Sequence, residues 1–187
     1  MKFAQLFILI LAFLIVKPAK AGLLIEPLVG YSMGTTKTDN TGFSAEDLNG
    51  TSYGGRLGYQ NLGFQLGLDY LNSSLNIDDS KFSTLKTSEW GGFVGFEFPI
   101  LLRVYAGYIF SATGETQYDA GAGKGDLDFQ NGSGSKFGIG FTGLPFVDIN
   151  LEYRKGTFGE YKYGGTKVEK DTDYSAYMIS LSLPFVL

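Results

Sequence analysis

The sequence predicts an all-β fold: an eight-stranded antiparallel up-and-down barrel that crosses a membrane, preceded by a cleaved leader. Three observations carry that prediction. Apolar residues alternate with small or polar ones in eight segments. Short and long connections take turns between those segments. The apolar stretch at the N-terminus is about 14 residues, below the roughly 20 that span a bilayer as a helix.

The leader comes first in the chain. Met1 and Lys2 form a basic start, Phe3 to Val16 are apolar apart from Gln5, and Ala19-Lys20-Ala21 supplies a small-residue cleavage pattern. Residues 1–21 therefore read as a secretory signal peptide and residues 22–187 as one barrel domain. Nothing after residue 21 is a continuous apolar run long enough for a membrane helix, which leaves strands as the crossing elements.

Eight segments follow. Ile25, Val29, Tyr31 and Met33 oppose Glu26, Leu28, Gly30 and Ser32; Tyr53, Leu57 and Tyr59 oppose Ser52, Gly54, Arg56 and Gly58. Phe64, Leu66, Leu68 and Tyr70 oppose Gln65, Gly67 and Asp69. Trp90, Val94, Phe96 and Phe98 oppose Glu89, Gly91, Gly95 and Glu97, with a mild break at Gly92 and Phe93. Leu102, Val104, Ala106, Tyr108 and Phe110 oppose Arg103, Tyr105, Gly107, Ile109 and Ser111. Phe137, Ile139 and Phe141 oppose Lys136, Gly138, Gly140 and Thr142. Val147, Ile149, Leu151 and Tyr153 oppose Asp148, Asn150, Glu152 and Arg154. Tyr177, Ile179, Leu181, Leu183 and Phe185 oppose Met178, Ser180, Ser182 and Pro184. Each segment is roughly 9–13 residues, against the 9–11 of a tilted membrane strand. Pro27 and Pro184 each lack a ladder donor, so bulges or strand ends are expected there.

Connections near Asn61, at Pro99–Leu101 and at Leu144–Pro145 are short. Those over Thr35–Gly50, Asn72–Lys86, Ala112–Ser135 and Gly156–Thr172 are long and polar. That sidedness puts short turns in the periplasm and long loops outside the cell. Tyr59, Phe64, Phe98, Phe146 and Phe185 then fall at the lower membrane interface. Tyr31, Tyr53, Tyr70, Trp90, Phe110, Phe137, Tyr153 and Tyr177 fall at the upper one, as two girdles around an aliphatic band.

The inward set carries Glu26, Asp69, Glu89, Glu97, Asp148 and Glu152 with Arg56, Arg103, Lys136 and Arg154. An eight-stranded barrel is only wide enough for side chains to fill it, so these charges must pair. Expected pairs are Glu97 with Arg103, Arg56 with Glu26, and Glu152 diagonally with Lys136. The result would be a salt-bridged, largely plugged lumen.

Composition narrows the chemistry. Residues 22–187 hold 12 basic and 19 acidic side chains, which argues against nucleic acid as a partner. Cysteine and histidine are both absent, so Ser–His and Cys–His nucleophilic arrangements are excluded and no enzyme is expected. No cofactor or metal is expected either. Gly121-Ala122-Gly123-Lys124-Gly125 lacks the ending of a phosphate-binding loop, and Asp126 with Asp128 lacks the spacing of a calcium loop.

Taken together, leader, eight segments and four polar loops resemble the small outer-membrane barrels of the outer-membrane protein A and X type, over essentially all of residues 22–187. The resemblance implies a bacterial outer-membrane location among lipid and lipopolysaccharide, as a monomer. It also implies that Leu181, Leu183, Phe185 and Leu187 form the terminal signal read by the barrel-assembly machinery. That family usually ends in Phe, and this chain ends in Leu187. The function expected is a structural or surface-interaction barrel whose loops meet an extracellular ligand. The alternative is a narrow channel for small or hydrophobic solutes. Loop aromatics Tyr118, Phe129, Phe158, Tyr161 and Tyr163 either anchor such a ligand or pack the loops on each other.

Overall fold

The structure is a computed structural model and describes residues 21–38, 46–78, 82, 84–119 and 124–187. The leader through Lys20 and the loop tip at Gly121–Gly123 lie outside the described residues. Ten strand segments make one closed sheet: β1 (Gly22–Thr38), β2 (Glu46–Asn61), β3 (Phe64–Ile77), β4 (Leu85–Phe98), β5 (Leu102–Asp119), β6 (Lys124–Phe141), β7 (Asp148–Tyr163), β8 (Thr166–Val168), β9 (Thr172–Ser182) and β10 (Phe185–Val186). Every pairing is antiparallel: β1 to β7 pair in chain order, β7 also pairs both β8 and β9, and β1 closes the circle on β9 and β10. Because β8, β9 and β10 run along one line beside β7 and β1, the staves number eight.

The outer face of the lower barrel is apolar throughout. Leu57, Leu66, Leu68, Val94, Leu151, Ile179 and Leu181 are all exposed there, which is the surface a bilayer covers and water does not. Aromatic rings border this band. Phe64, Phe96 and Phe98 stack edge to face below it, with centroids 4.7 and 4.8 Å apart. Above it Tyr70 meets Trp90 at 4.5 Å and Tyr153 meets Tyr177 at 4.9 Å. Tyr31, Tyr53, Tyr59, Phe110, Phe137, Phe146 and Phe185 also point outward, as do Leu181, Leu183 and Leu187 of the terminal segment.

The short turns adopt forms that a sharp reversal requires. Leu62 and Gly63 both take positive φ, 49° and 86°, which gives the two-residue hairpin whose twist matches the strands. Leu101 (φ 64°) and Phe146 (φ 66°) close the other two.

Three expectations are corrected. Strands β1 to β7 are 14–18 residues long rather than 9–13, because the ladders continue well into the stretches read as loops. The break at Gly92–Phe93 is not one: Phe93 is simply an aromatic residue facing the lumen, buried, with Gly92 on the outer face. The irregularity sits on β5 instead, where the register jumps between Ile109 and Ser111 and turns Ser111 outward. Finally, Pro184 does interrupt a strand, β9 stopping at Ser182 and β10 starting at Phe185, but neither Pro27 nor Pro184 makes a bulge. Ile25 pairs with Phe185 and Leu28 with Ser182, so the register is preserved across the proline pair and only ladder bonds are lost. Across that gap the Leu183 N–H still donates to the Pro27 carbonyl at 3.0 Å.

Candidate functional site

All ten charged residues read as luminal point inward, nine of them buried and Glu97 half-buried. Strand alternation puts them there, and eight staves leave no room for water to solvate them separately. Six link into a zigzag of alternating sign that climbs the lumen. At its base the Arg103 guanidinium grips Glu26 with two hydrogen bonds of 2.9 and 2.7 Å, β5 to β1 across the barrel. It also donates to Asn150 Oδ1 at 2.5 Å and stands 3.7 Å from Asp148. Glu26 further accepts from Ser182 Oγ at 2.5 Å and lies 3.4 Å from Arg56. Arg56 then reaches across to Glu152 at 3.0 Å, β2 to β7. Arg154 continues the chain, bonding Glu152 at 2.5 Å and crossing to Glu89 on β4. Beside the zigzag, Lys136 on β6 bonds Asp69 on β3.

Aromatic faces pack this network. The Arg56 guanidinium lies 4.1 Å from the centroid of Tyr105 and 5.5 Å from that of Phe93. Gly138 opposes Tyr105 so closely that a Cβ there would meet ring atom Cε2 at 2.6 Å. Beside the upper charges Leu28, Leu71 and Met178 form a small apolar cluster, Leu71 pairing in register with Glu89 and Met178 with Glu152.

Two of the expected pairs do not form as written. Glu97 and Arg103 are register partners on β4 and β5, yet Arg103 turns across the lumen to Glu26. Glu97 receives only a 3.4 Å bond from Gln60. The bidentate grip on a fully buried carboxylate wins over a neighbour near the periplasmic rim. Lys136 pairs with Asp69 and not with Glu152, which Arg56 and Arg154 already saturate.

Above the plug the barrel changes character. Leu48, Leu75, Leu85, Phe158 and Tyr174 face inward, while Asp47, Asn49, Glu115, Asp126 and Asp173 face out. The alternation persists but its phase is reversed: polar residues now meet water outside and apolar ones line the lumen. Sequence reasoning searched for apolar residues on the outer face only, so this half read as loop. A search for alternation of either phase would have found it. The inward residues enclose a cavity of about 570 Å³ lined by Leu48, Leu85, Leu127, Phe129, Phe158 and Tyr161 among others. Beneath it, between Glu89, Arg154 and Phe158, a cavity of about 40 Å³ has room for a few waters at most. The loop aromatics thus turn into the mouth rather than outward. Among the described residues no cluster of His, Cys, Asp or Glu is arranged to hold a metal; Asp126 accepts a hydrogen bond from Gln117 at 3.0 Å.

No family model and no curated protein matches the chain. Solved structures do match in fold. Neisserial surface protein A aligns with a TM-score of 0.56 at 17% identity, over 90% of this chain and 100% of that one. The attachment invasion locus protein Ail of Yersinia pestis gives 0.64 at 12%, over 88% and 99%. The outer membrane protein OprG from Pseudomonas aeruginosa gives 0.50 at 15%, over 90% and 98%. At these identities the likeness is one of fold: the chain is a closed, eight-stranded, up-and-down barrel of the small outer-membrane kind.

Proposed function

We propose that this chain is a non-catalytic barrel of a bacterial outer membrane, sealed by its charged plug and acting through its extracellular rim. The single observation that carries this reading is that ion pairs cross the lumen between opposite walls, β5 to β1, β2 to β7, β4 to β7 and β6 to β3. An ion moving past them would have to displace partners buried in low dielectric, which costs several kcal/mol per unpaired charge. The apolar belt and its aromatic borders seat the barrel in the lipid and lipopolysaccharide of an outer membrane, as a monomer. Residues 1–21 direct export and are removed, and Leu181, Leu183, Phe185 and Leu187 serve the assembly machinery. The absence of histidine and cysteine supports a role without catalysis.

Partners then meet the ends of the four long hairpins. Ail of Yersinia pestis has been crystallised with the heparin analogue sucrose octasulfate. Here the outward side chains include Asp47, Glu115, Asp126 and Asp173, so a densely anionic partner is disfavoured and a neutral or basic surface fits better.

Recording in planar bilayers tests the plug. The purified barrel should show no steady open level, whereas a large, steady conductance refutes the sealed lumen and favours the channel reading.

A further inference from the structure

We propose that the upper lumen is a binding site for a small, uncharged hydrophobic molecule, taken up and released on the extracellular side. Size is the first ground. About 570 Å³ is far beyond a packing void and lies within the roughly 300–1,000 Å³ typical of small-molecule pockets. The loop aromatics do touch one another: Phe82 to Tyr118 at 5.0 Å, Phe129 to Phe158 at 5.5 Å, Phe158 to Tyr174 at 5.1 Å. They nevertheless leave the cup open between them, so mutual packing does not account for their inward turn.

Chemistry of the wall sets the ligand class. Leucine, isoleucine, valine and aromatic side chains supply most of the lining, and water in such a cup is poorly hydrogen-bonded, so an apolar solute displaces it at a gain. Glu46 is the one charged residue among the described lining side chains, and among the described residues it forms no ion pair with a cation. A carboxylate, phosphate or sulfate would therefore enter without a partner, which rules against anions. The few hydroxyls in the lining, such as those of Tyr161 and Thr166, suit a single polar group on an otherwise apolar molecule. The floor is closed by Ile109, Ala112, Phe158 and Tyr174, and the ion-pair plug lies below it. The cup therefore opens away from the plug. It is a receptor or a scavenging site rather than a stage in a conduit, and its existence does not depend on how tightly the plug below is sealed.

The test uses the full barrel in phosphatidylcholine nanodiscs, with Phe129→Trp placing an indole in the wall and Trp90→Phe removing the native one. Titrating the uncharged fluorophore N-phenyl-1-naphthylamine should give saturable energy transfer from the installed indole, above the linear background of probe dissolved in lipid. Leu127→Asp, or Val168→Asp if that barrel does not assemble, should weaken the saturable component by more than about tenfold, because the new carboxylate holds water in the cup. Heat-modifiable gel migration establishes that each variant is folded. Transfer that only rises linearly, or that a folded aspartate variant leaves unchanged, overturns the proposal. Equal saturable binding of the anionic probe 8-anilinonaphthalene-1-sulfonate overturns the assigned class. Arg103→Ala, which perturbs the plug, should leave the transfer unaltered, so failure of the plug and failure of the cup give different signatures.

Discussion

Replacing Arg103 by alanine removes the base of the zigzag, and its cost follows from what is left behind. The guanidinium is 1% exposed and makes two hydrogen bonds to Glu26 and one to Asn150, with Asp148 at 3.7 Å. Without it Glu26 keeps Ser182 and the longer contact to Arg56, and Asp148 loses its 3.7 Å contact to the guanidinium. Removing one member of a buried pair typically costs about 3–5 kcal/mol, and water entering the vacated space lowers rather than raises that figure. Urea unfolding in lipid vesicles, followed through Trp90 on the outer face and through heat-modifiable migration, reads the change. The paired variant Glu26→Gln with Arg103→Met is the decisive comparison. It should be less destabilised than the sum of its single changes, by at least about 1 kcal/mol. A single-variant loss below about 1 kcal/mol, or strict additivity, would refute a plug held by cross-lumen pairing.

Three further outcomes are expected. Gly138→Ala drives a methyl into the Tyr105 ring and its hydroxyl, which back Arg56, and should destabilise by about 1–3 kcal/mol in the same unfolding assay; a neutral result means the ring is free to move. At the hairpin joining β7 to β8, the hydrogen bond from Lys167 at 2.6 Å holds the Glu160 carboxyl below its ordinary range, and the same bond raises Lys167. Its contribution is therefore present above the ordinary carboxylate value and fades as pH falls through the lower, folded one. Amide exchange at Thr166–Val168, corrected for intrinsic rates, should quicken on that acid side in the natural chain and show no such step in Lys167→Met. Lastly, mass spectrometry of barrel recovered from outer membranes should give an N-terminus at Gly22; a chain retaining residues 1–21 rejects the leader reading.

The lower barrel was legible in the sequence because lipid enforces one strict rule there. Leu66 and Leu68 must face out while Gln65 and Asp69 face in, and period two is then unmistakable. The inward charges were legible for the same reason. Their pairing was not, since it joins residues far apart in sequence, such as Glu26 with Arg103, and depends on side-chain reach across a closed ring rather than on strand neighbourhood. Register placed Arg56 beside Glu26 on adjacent strands, and that contact does form at 3.4 Å. The upper barrel stayed hidden for a different reason. In water an antiparallel sheet puts its apolar side chains inward, as Leu48 and Leu75 do, so a rule taken from lipid-facing strands assigns these stretches to loops.

The reversal of phase along each stave also fixes how deep the barrel sits. Slid downward by a few residues, it would press Asp47, Glu115 and Asp173 into hydrocarbon; slid upward, it would strip lipid from Leu68, Val94 and Ile179. Either displacement meets a steep restoring force, because both solvents object at once. The boundary between the two patterns is thus a waterline written into the chain, and it holds the mouth of the cup at a constant height above the membrane surface.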